Sequence, residues 1–301
     1  MLDYGGLQAV AMVVRTGSFE KAAQKLSVTP SAVSQRVKAL EERLGTILIV
    51  RGQPCTATSE GELICRHVEQ VLMLEHDLSA ALPPLPPNRD SEDRVTIPLA
   101  VNSDSLATWF LSAAAGASFS TGYLFDVIVD DQDHTTDILK AGRAIGAVTA
   151  QPEPVAGFKT FSLGAMTYLA TASPAFRQRY FSNGLTKETL QKAPGIVFNR
   201  KDSLQDIWVR KVTGQQVAFP NHWLPSSHAF IDACLLGLGW GMSPLYLLHH
   251  HLANGTLVDL APAHPIDVPL YWQIKSSAAT PLKVLTETIV AYARSNMNRP
   301  F

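Results

Sequence analysis

Near the start of the chain, Ser31, Ser34, Gln35 and Lys38 stand at i, i+3, i+4 and i+7, one face of a helix. All four are short or flexible hydrogen-bonding groups close to a helix N-terminus, which attracts phosphate. A helix presenting such groups can enter a major groove and address base edges. The bland alternative is a solvated face in an ordinary helical domain. The tight helix–turn–helix spacing, the Ala22–Ala23 pair and the Thr29-Pro30-Ser31 opening favour recognition. Ser31, Ser34 and Gln35 are then expected near base edges, and Thr29, Arg36 and Lys38 near phosphate.

A second set of polar groups follows the strands of the other half. Ser103, Asp104 and Ser105 follow one strand and open a helix, so their backbone N–H groups suit a carboxylate. Asp130, Asp131 and Asp133 follow a second strand, and Thr149 a third. Asn199, Arg200 and Asp202 follow a later strand, and Ser226 and Ser227 sit at another strand–helix junction. Ligands of open α/β sheets bind at the carboxyl ends of strands. Singly, each serine or aspartate reads as a helix cap. Together, several acids facing one cleft favour a cationic ligand. The expected ligand set is Ser103, Asp104, Ser105, Asp131, Thr149, Asn199, Asp202, Ser226 and Ser227.

Other patterns carry less. His249, His250 and His251 are adjacent; on a helix they point different ways, so no metal is expected. "GLGWG" (237–241) fits neither the Walker nor the dinucleotide pattern and reads as close backbone packing before a strand. No Ser–His–acid spacing asks for catalysis. Neither an enzyme nor a cofactor is expected.

The elements that must position these groups can be read from periodicity. Leu7, Val10, Ala11 and Val14 form one helical stripe, which Gly17 ends. Ser18 caps a second helix with Phe19, Ala22, Ala23 and Leu26 inward. Thr29 caps a third, Pro30 sits at its first position, and Val33, Val37, Leu40 and Leu44 face inward until Gly45. From Ser59 to Leu82 one long helix carries Ile64, Val68, Val71, Leu74 or Glu75, Leu78 and Leu82 at spacings of three and four. This narrow seam reads as a dimerisation device, because the helix has little domain of its own to cover it. "PPLPP" (83–87) ends it in a stiff hinge. From Arg94 strands and helices alternate, which implies a mostly parallel sheet with covered faces and two small α/β lobes around a cleft.

Whole-chain numbers set bounds. At 301 residues, 46% hydrophobic and 17% charged, the chain has ample core for at least two domains. Its formal net charge of −1 excludes a basic coat for nucleic acid, so any such binding needs a local patch. Cys55, Cys65 and Cys234 are odd in number and scattered, which suits a reducing cytosol. No signal peptide or bilayer-spanning run is seen, so a cytoplasmic protein without a membrane partner is expected.

"AAQKLSVTPSAVSQRVKALEERLG" (22–45) resembles the winged helix-turn-helix signature of LysR-type transcriptional regulators. "LIVR" (48–51) and "TSEG" (58–61) look like the wing strand and the start of the linker helix in that family. "AVNSDSLATWF", "VDDQDH", "GAVTAQ" and "FNRKDSLQD" resemble its ArgP/LysG branch, which senses lysine or arginine and controls a basic amino acid exporter. The resemblance implies double-stranded operator DNA, a basic amino acid effector, RNA polymerase and a homodimer or tetramer as partners. It also implies that Arg51 on the wing reaches a minor groove. Pro30, at the DNA-binding helix, replaces a glutamine common in the family. The implied organisation is a winged helix-turn-helix at 1–58, a linker helix at 59–82 and a hinge at 83–93. Beyond it lies a two-lobe α/β effector domain like the periplasmic binding proteins. Its first lobe comprises 94–164 and 269–301, its second 165–268, with crossovers near 165–168 and 265–269. A solute-binding protein or small-molecule enzyme with an accessory helical domain is the alternative.

Overall fold

The computed structural model describes residues 3–81, 95–130 and 135–297. The chain divides into two compact units, Met1–Thr96 and Ile97–Phe301. In the first, the Asp3 carboxylate accepts from the Gly5 and Gly6 N–H groups and starts α1 (Tyr4–Thr16). Ser18 caps α2 (Phe19–Lys25) in the same way. The Thr29 hydroxyl accepts from the Ala32 N–H at 3.2 Å, and Pro30 opens α3 (Pro30–Leu44). Leu7, Val10, Val13, Ala22, Ala23, Val33, Val37 and Leu40 share one core. The two alanines are fully buried there, where larger side chains would push the helices apart. Leu44, expected inward, is 40% exposed, because the last turn of α3 runs past that core, whose last member on the helix is Leu40.

Strands β1 (Ile49–Val50) and β2 (Thr56–Ala57) pair antiparallel as a short wing. Glu41 of α3 anchors it by accepting from the Leu48 N–H at 2.8 Å and the Ile49 N–H at 3.3 Å. Helix α4 (Ser59–Ala81) follows directly. A Cβ at Gly61 would overlap the carbonyl oxygen of Leu48, so only glycine lets α4 start this close to the wing.

The seam expected on α4 needs correction. Val68 is buried in the first unit's own core, with Ile64 and Leu72 packed on it and α1 alongside. The chain itself therefore covers the first half of that stripe. Leu63, Leu74 and Leu78 remain 58%, 54% and 58% exposed and make up a second apolar face. Leu82 and the 83–93 hinge lie outside the described residues.

The second unit begins with β3 (Thr96–Asn102). It leads into α5 (Ser103–Ser105), a π-helical turn at Leu106–Phe110, and α6 (Leu111–Thr121). Then come β4 (Leu124–Asp130), α7 (Thr135–Lys140), β5 (Gly146–Thr149) and the long β6 (Phe158–Ala172). Helices α8 (Pro174–Phe181) and α9 (Lys187–Leu190) precede β7 (Gly195–Val197), α10 (Leu204–Thr213) and β8 (Asn221–Trp223). The unit ends with α11 (Ser227–Leu235), β9 (Trp240–Pro244), α12 (Leu245–Ala253), β10 (Val258–Asp259), β11 (Ile266–Lys275) and α13 (Lys283–Asn296).

The strands form one sheet in the order β4-β3-β5-β11-β6-β9-β7-β8, with β10 beside β6. It is mixed, not mostly parallel. β3 pairs parallel with β5, and β7 with β8 and β9. β11 runs antiparallel to β5 and β6, and β6 to β9 and β10. Two long returning strands thus join two parallel sets. The segments expected to cross between lobes pair with each other, Ala165 opposite Pro269 and Tyr168 opposite Ile266.

Trp208, Trp240 and Trp272 fill the interior. A Cβ at Gly239 would lie 2.8 Å from the Pro194 carbonyl oxygen, which accounts for the glycine-rich run before β9. Cys234 is fully buried on α11, and burial pushes its thiol up to about 12, the value of an inert core residue.

Candidate functional site

On α3 the polar face stands as the spacing requires. Ser31, Gln35, Arg36 and Lys38 are exposed and Ser34 is half-buried, while Val33 and Val37 point into the core. Thr29 is committed to its cap and lies 3.0 Å from the Ser31 hydroxyl, and Pro30 has no N–H to satisfy. Lys38 pairs with Glu42 one turn on at 3.6 Å, both largely exposed. The Arg36 guanidinium lies beside Gly5 at the start of α1. On the wing, Arg51 stacks over the Phe19 ring at 5.3 Å and ties β1 to the start of α2. The face offers hydrogen-bonding hydroxyls and an amide, flanked by cations: chemistry suited to base edges and phosphates.

In the second unit the expected ligand residues divide. Ser103, Asp104, Asp202 and Ser227 line one cavity together with Asn102, Gln205, Ser243 and the apolar Phe198, Leu204, Phe230 and Met242. Ser103 occupies the first position of α5, and Asn102 before it makes no side-chain capping bond. Ser227 opens α11, capped by Ser226, whose hydroxyl accepts from the Ala229 N–H. The Ser103 and Ser227 hydroxyls meet at 2.9 Å, so two helix N-termini converge on one point. Asp104 accepts from the Tyr168 hydroxyl at 2.7 Å. Asp202 accepts from the Phe198 and Leu204 N–H groups at 3.1 and 3.0 Å. Both carboxylates are thereby held in fixed orientation. The cavity is only about 40 Å3, room for on the order of one to three waters. An amino acid enters only if the walls part.

The remaining candidates do not line that cavity. Ser105 and Thr149 are fully buried, and Thr149 accepts from the Gln151 N–H. Asn199 caps its own turn through the Lys201 and Asp202 N–H groups. Ser226 is occupied as the α11 cap. Asp131 lies outside the described residues. Asn102, Gln205 and Ser243 were not anticipated. Gln205 is 2% exposed amid the apolar stripe of α10, and Ser243 is 1% exposed in an otherwise apolar strand. A lone polar residue inside an apolar run is the signal that marks each. Gln205 Oε1 and the Ser243 hydroxyl have no partner among the described residues, and buried polar groups normally find one.

Two family descriptions match this chain: the bacterial regulatory helix-turn-helix protein of the lysR family over residues 5–62, and the LysR substrate binding domain over 122–294. The chain is 43% identical to the HTH-type transcriptional regulator LysG of Mycobacterium bovis, covering 97% of this chain and 94% of that one. It also resembles the crystal structure of ArgP from Mycobacterium tuberculosis, with 41% identity, full coverage of both chains and a TM-score of 0.79. A third relative is full-length LysG from Corynebacterium glutamicum with bound effector Arg, at 32% identity, covering 99% of this chain and 100% of that one with a TM-score of 0.66. These relatives are regulators, not solute-binding proteins or enzymes. With both descriptions matched in order along it, the chain belongs to the LysR family of bacterial helix-turn-helix transcriptional regulators.

Proposed function

We propose that this regulator binds lysine or arginine between the lobes of its effector domain and, in response, controls a basic amino acid exporter from operator DNA. The observation that carries the reading is the cavity where two helix N-termini meet beside two oriented carboxylates. A free basic amino acid brings an α-carboxylate for the former and a distant cation for the latter. The α-carboxylate would replace the Ser103–Ser227 hydrogen bond and take up the N–H groups of α5 and α11. The cation would lie near Asp104 or Asp202, with Gln205 Oε1 as a further acceptor. Because the walls must part, the ligand's differential affinity for open and shut forms is what shifts the protein. The Arg-bound LysG relative supports the ligand class.

The same proposal assigns DNA recognition to Ser31, Ser34 and Gln35, phosphate contact to Thr29, Arg36 and Lys38, and minor-groove contact to Arg51. It places Pro30 on the same surface. Residues 1–58 form the reading module, 59–82 the linker helix and 83–93 the hinge. The effector lobes are 94–164 with 269–301, and 165–268. Pairing of two chains through the exposed α4 face, further pairing to a tetramer, contact with RNA polymerase, activation of transcription and a cytoplasmic location belong to this reading. No described helix is long and apolar enough to cross a membrane. Calorimetry with lysine, arginine, glutamate and leucine tests it. Lysine or arginine should bind at micromolar to millimolar affinity and alter operator binding in a mobility-shift assay. Preference for glutamate or leucine would sink the ligand assignment and leave the DNA reading standing.

A further inference from the structure

A second cavity lies elsewhere in the effector unit. It measures about 130 Å3 and is walled by Thr108 and Trp109 of the π-helical turn, Ala165, Met166 and Thr167 of β6, Leu245, Tyr246 and His249 of α12, and Asn296 and Met297 at the end of α13. An apolar cavity of about 150 Å3 is large enough to admit a benzene ring. Among the described residues no carboxylate, lysine or arginine lines it. The Thr108 hydroxyl is spent on the Asp104 carbonyl, the Thr167 hydroxyl on Asp267, and the Asn296 amide on the Tyr292 carbonyl. Among the described lining residues, the side-chain donors left are the imidazole of His249, the phenol of Tyr246 and the indole N–H of Trp109. That N–H is buried without an acceptor among the described residues, on a residue 2% exposed. The wall is therefore half apolar and half polar, with donors in excess.

We infer that this cavity is a second ligand site, separate from the cleft, for a compact apolar molecule ending in one carboxylate, such as a short branched-chain acid. Its body would lie against Ala165, Met166, Leu245 and Met297, and its oxygens would take the uncommitted donors. The site is placed to influence the cleft. Ser103 and Asp104 line the cleft a few residues before Thr108 and Trp109, and Met242 and Ser243 line it just before Leu245. Tyr168, which holds Asp104, follows Thr167 on the same strand. An occupant braced against all three segments changes the cost of parting the cleft, and the coupling is reciprocal between the two ligands.

The test uses the full-length protein, with isovalerate and its neutral analogue isovaleramide as probes, by calorimetry and ligand-observed NMR. Isovalerate should bind with millimolar affinity, more tightly than isovaleramide. His249→Ala, at an exposed helix position, and Ala165→Leu, which fills the cavity, should each weaken it at least about fivefold. If Ala165→Leu does not fold, His249→Ala decides alone. No isovalerate binding, equal binding in wild type and variants, or equal binding of the amide would overturn the inference. Repeated with saturating arginine, isovalerate should still bind; one-for-one displacement would put the acid in the cleft and overturn the separate site. The titration without arginine stands whatever ligand the cleft takes.

Discussion

The proposed recognition face of α3 and the proposed effector cleft are built on opposite plans. On α3 the working side chains stand in solvent on a rigid helix, with Ser31, Gln35 and Lys38 exposed and the helix fixed from beneath by Val33, Val37 and Leu40. In the cleft the working groups are recessed, and most are already bonded: Ser103 to Ser227, Asp104 to Tyr168, Asp202 to two backbone N–H groups. The first is a surface that pays nothing to be ready. The second exchanges existing bonds for ligand bonds, so its affinity depends on how easily it opens. A reader of DNA gains from rigidity, while a sensor needs two states close in energy.

Substitutions put that contrast to the test. The largest effect should come from Gly61→Val, which drives a side chain into the Leu48 carbonyl and forces α4 off the wing. Overpacking of this kind costs about 3 kcal/mol. Urea melts should show the winged unit destabilised, with ligand binding in the effector unit intact.

Asp202→Asn should come next. It removes a charge from the cleft but keeps one backbone-accepting oxygen. Loss of a buried charge partner should weaken arginine by at least about 2 kcal/mol, roughly thirtyfold. Calorimetry that finds full affinity would remove Asp202 from the ligand set.

Ser34→Ala leaves the α3 core untouched. It should relax operator preference at one base position by roughly 1–2 kcal/mol, read by mobility shift on a set of single-base operator variants. Uniform weakening on every variant would assign Ser34 to phosphate.

Lys38→Ala should be the mildest. It should weaken all sequences alike and lower the salt-dependence slope by about one. Thermal stability should hardly move, since an exposed pair such as Lys38–Glu42 contributes roughly 0–1 kcal/mol.

What could be read from sequence differs between the same two regions. Local rules decide α3: Thr29 caps, Pro30 starts, and the polar face is what the apolar stripe leaves over. Leu44 and the α4 seam escaped those rules. Periodicity says that a side chain wants cover, not which surface supplies it, and the chain's own α1 covers Ile64 and Val68. In the second unit, strand-end logic named Ser103, Asp104, Asp202 and Ser227, which line the cavity. It also named Asn199 and Ser226, which do not line it and whose side chains cap their own turns. Gln205 and Ser243 needed a different cue, a polar residue where the pattern calls for an apolar one. The antiparallel course of β6 and β11 left no local trace, because strand direction is set by partners distant in sequence.

That course has a consequence for how the protein is made. β5 gains its neighbour β11, with Val148 opposite Trp272, only after every residue of β6 through β10 has been synthesised. The first lobe of the effector domain therefore waits, one sheet edge open, while the second is translated, whereas the winged unit closes its core from contiguous sequence. Emergence from the ribosome should yield a finished DNA-reading module first and a finished sensor last. A stalled or truncated chain would carry the former without the latter.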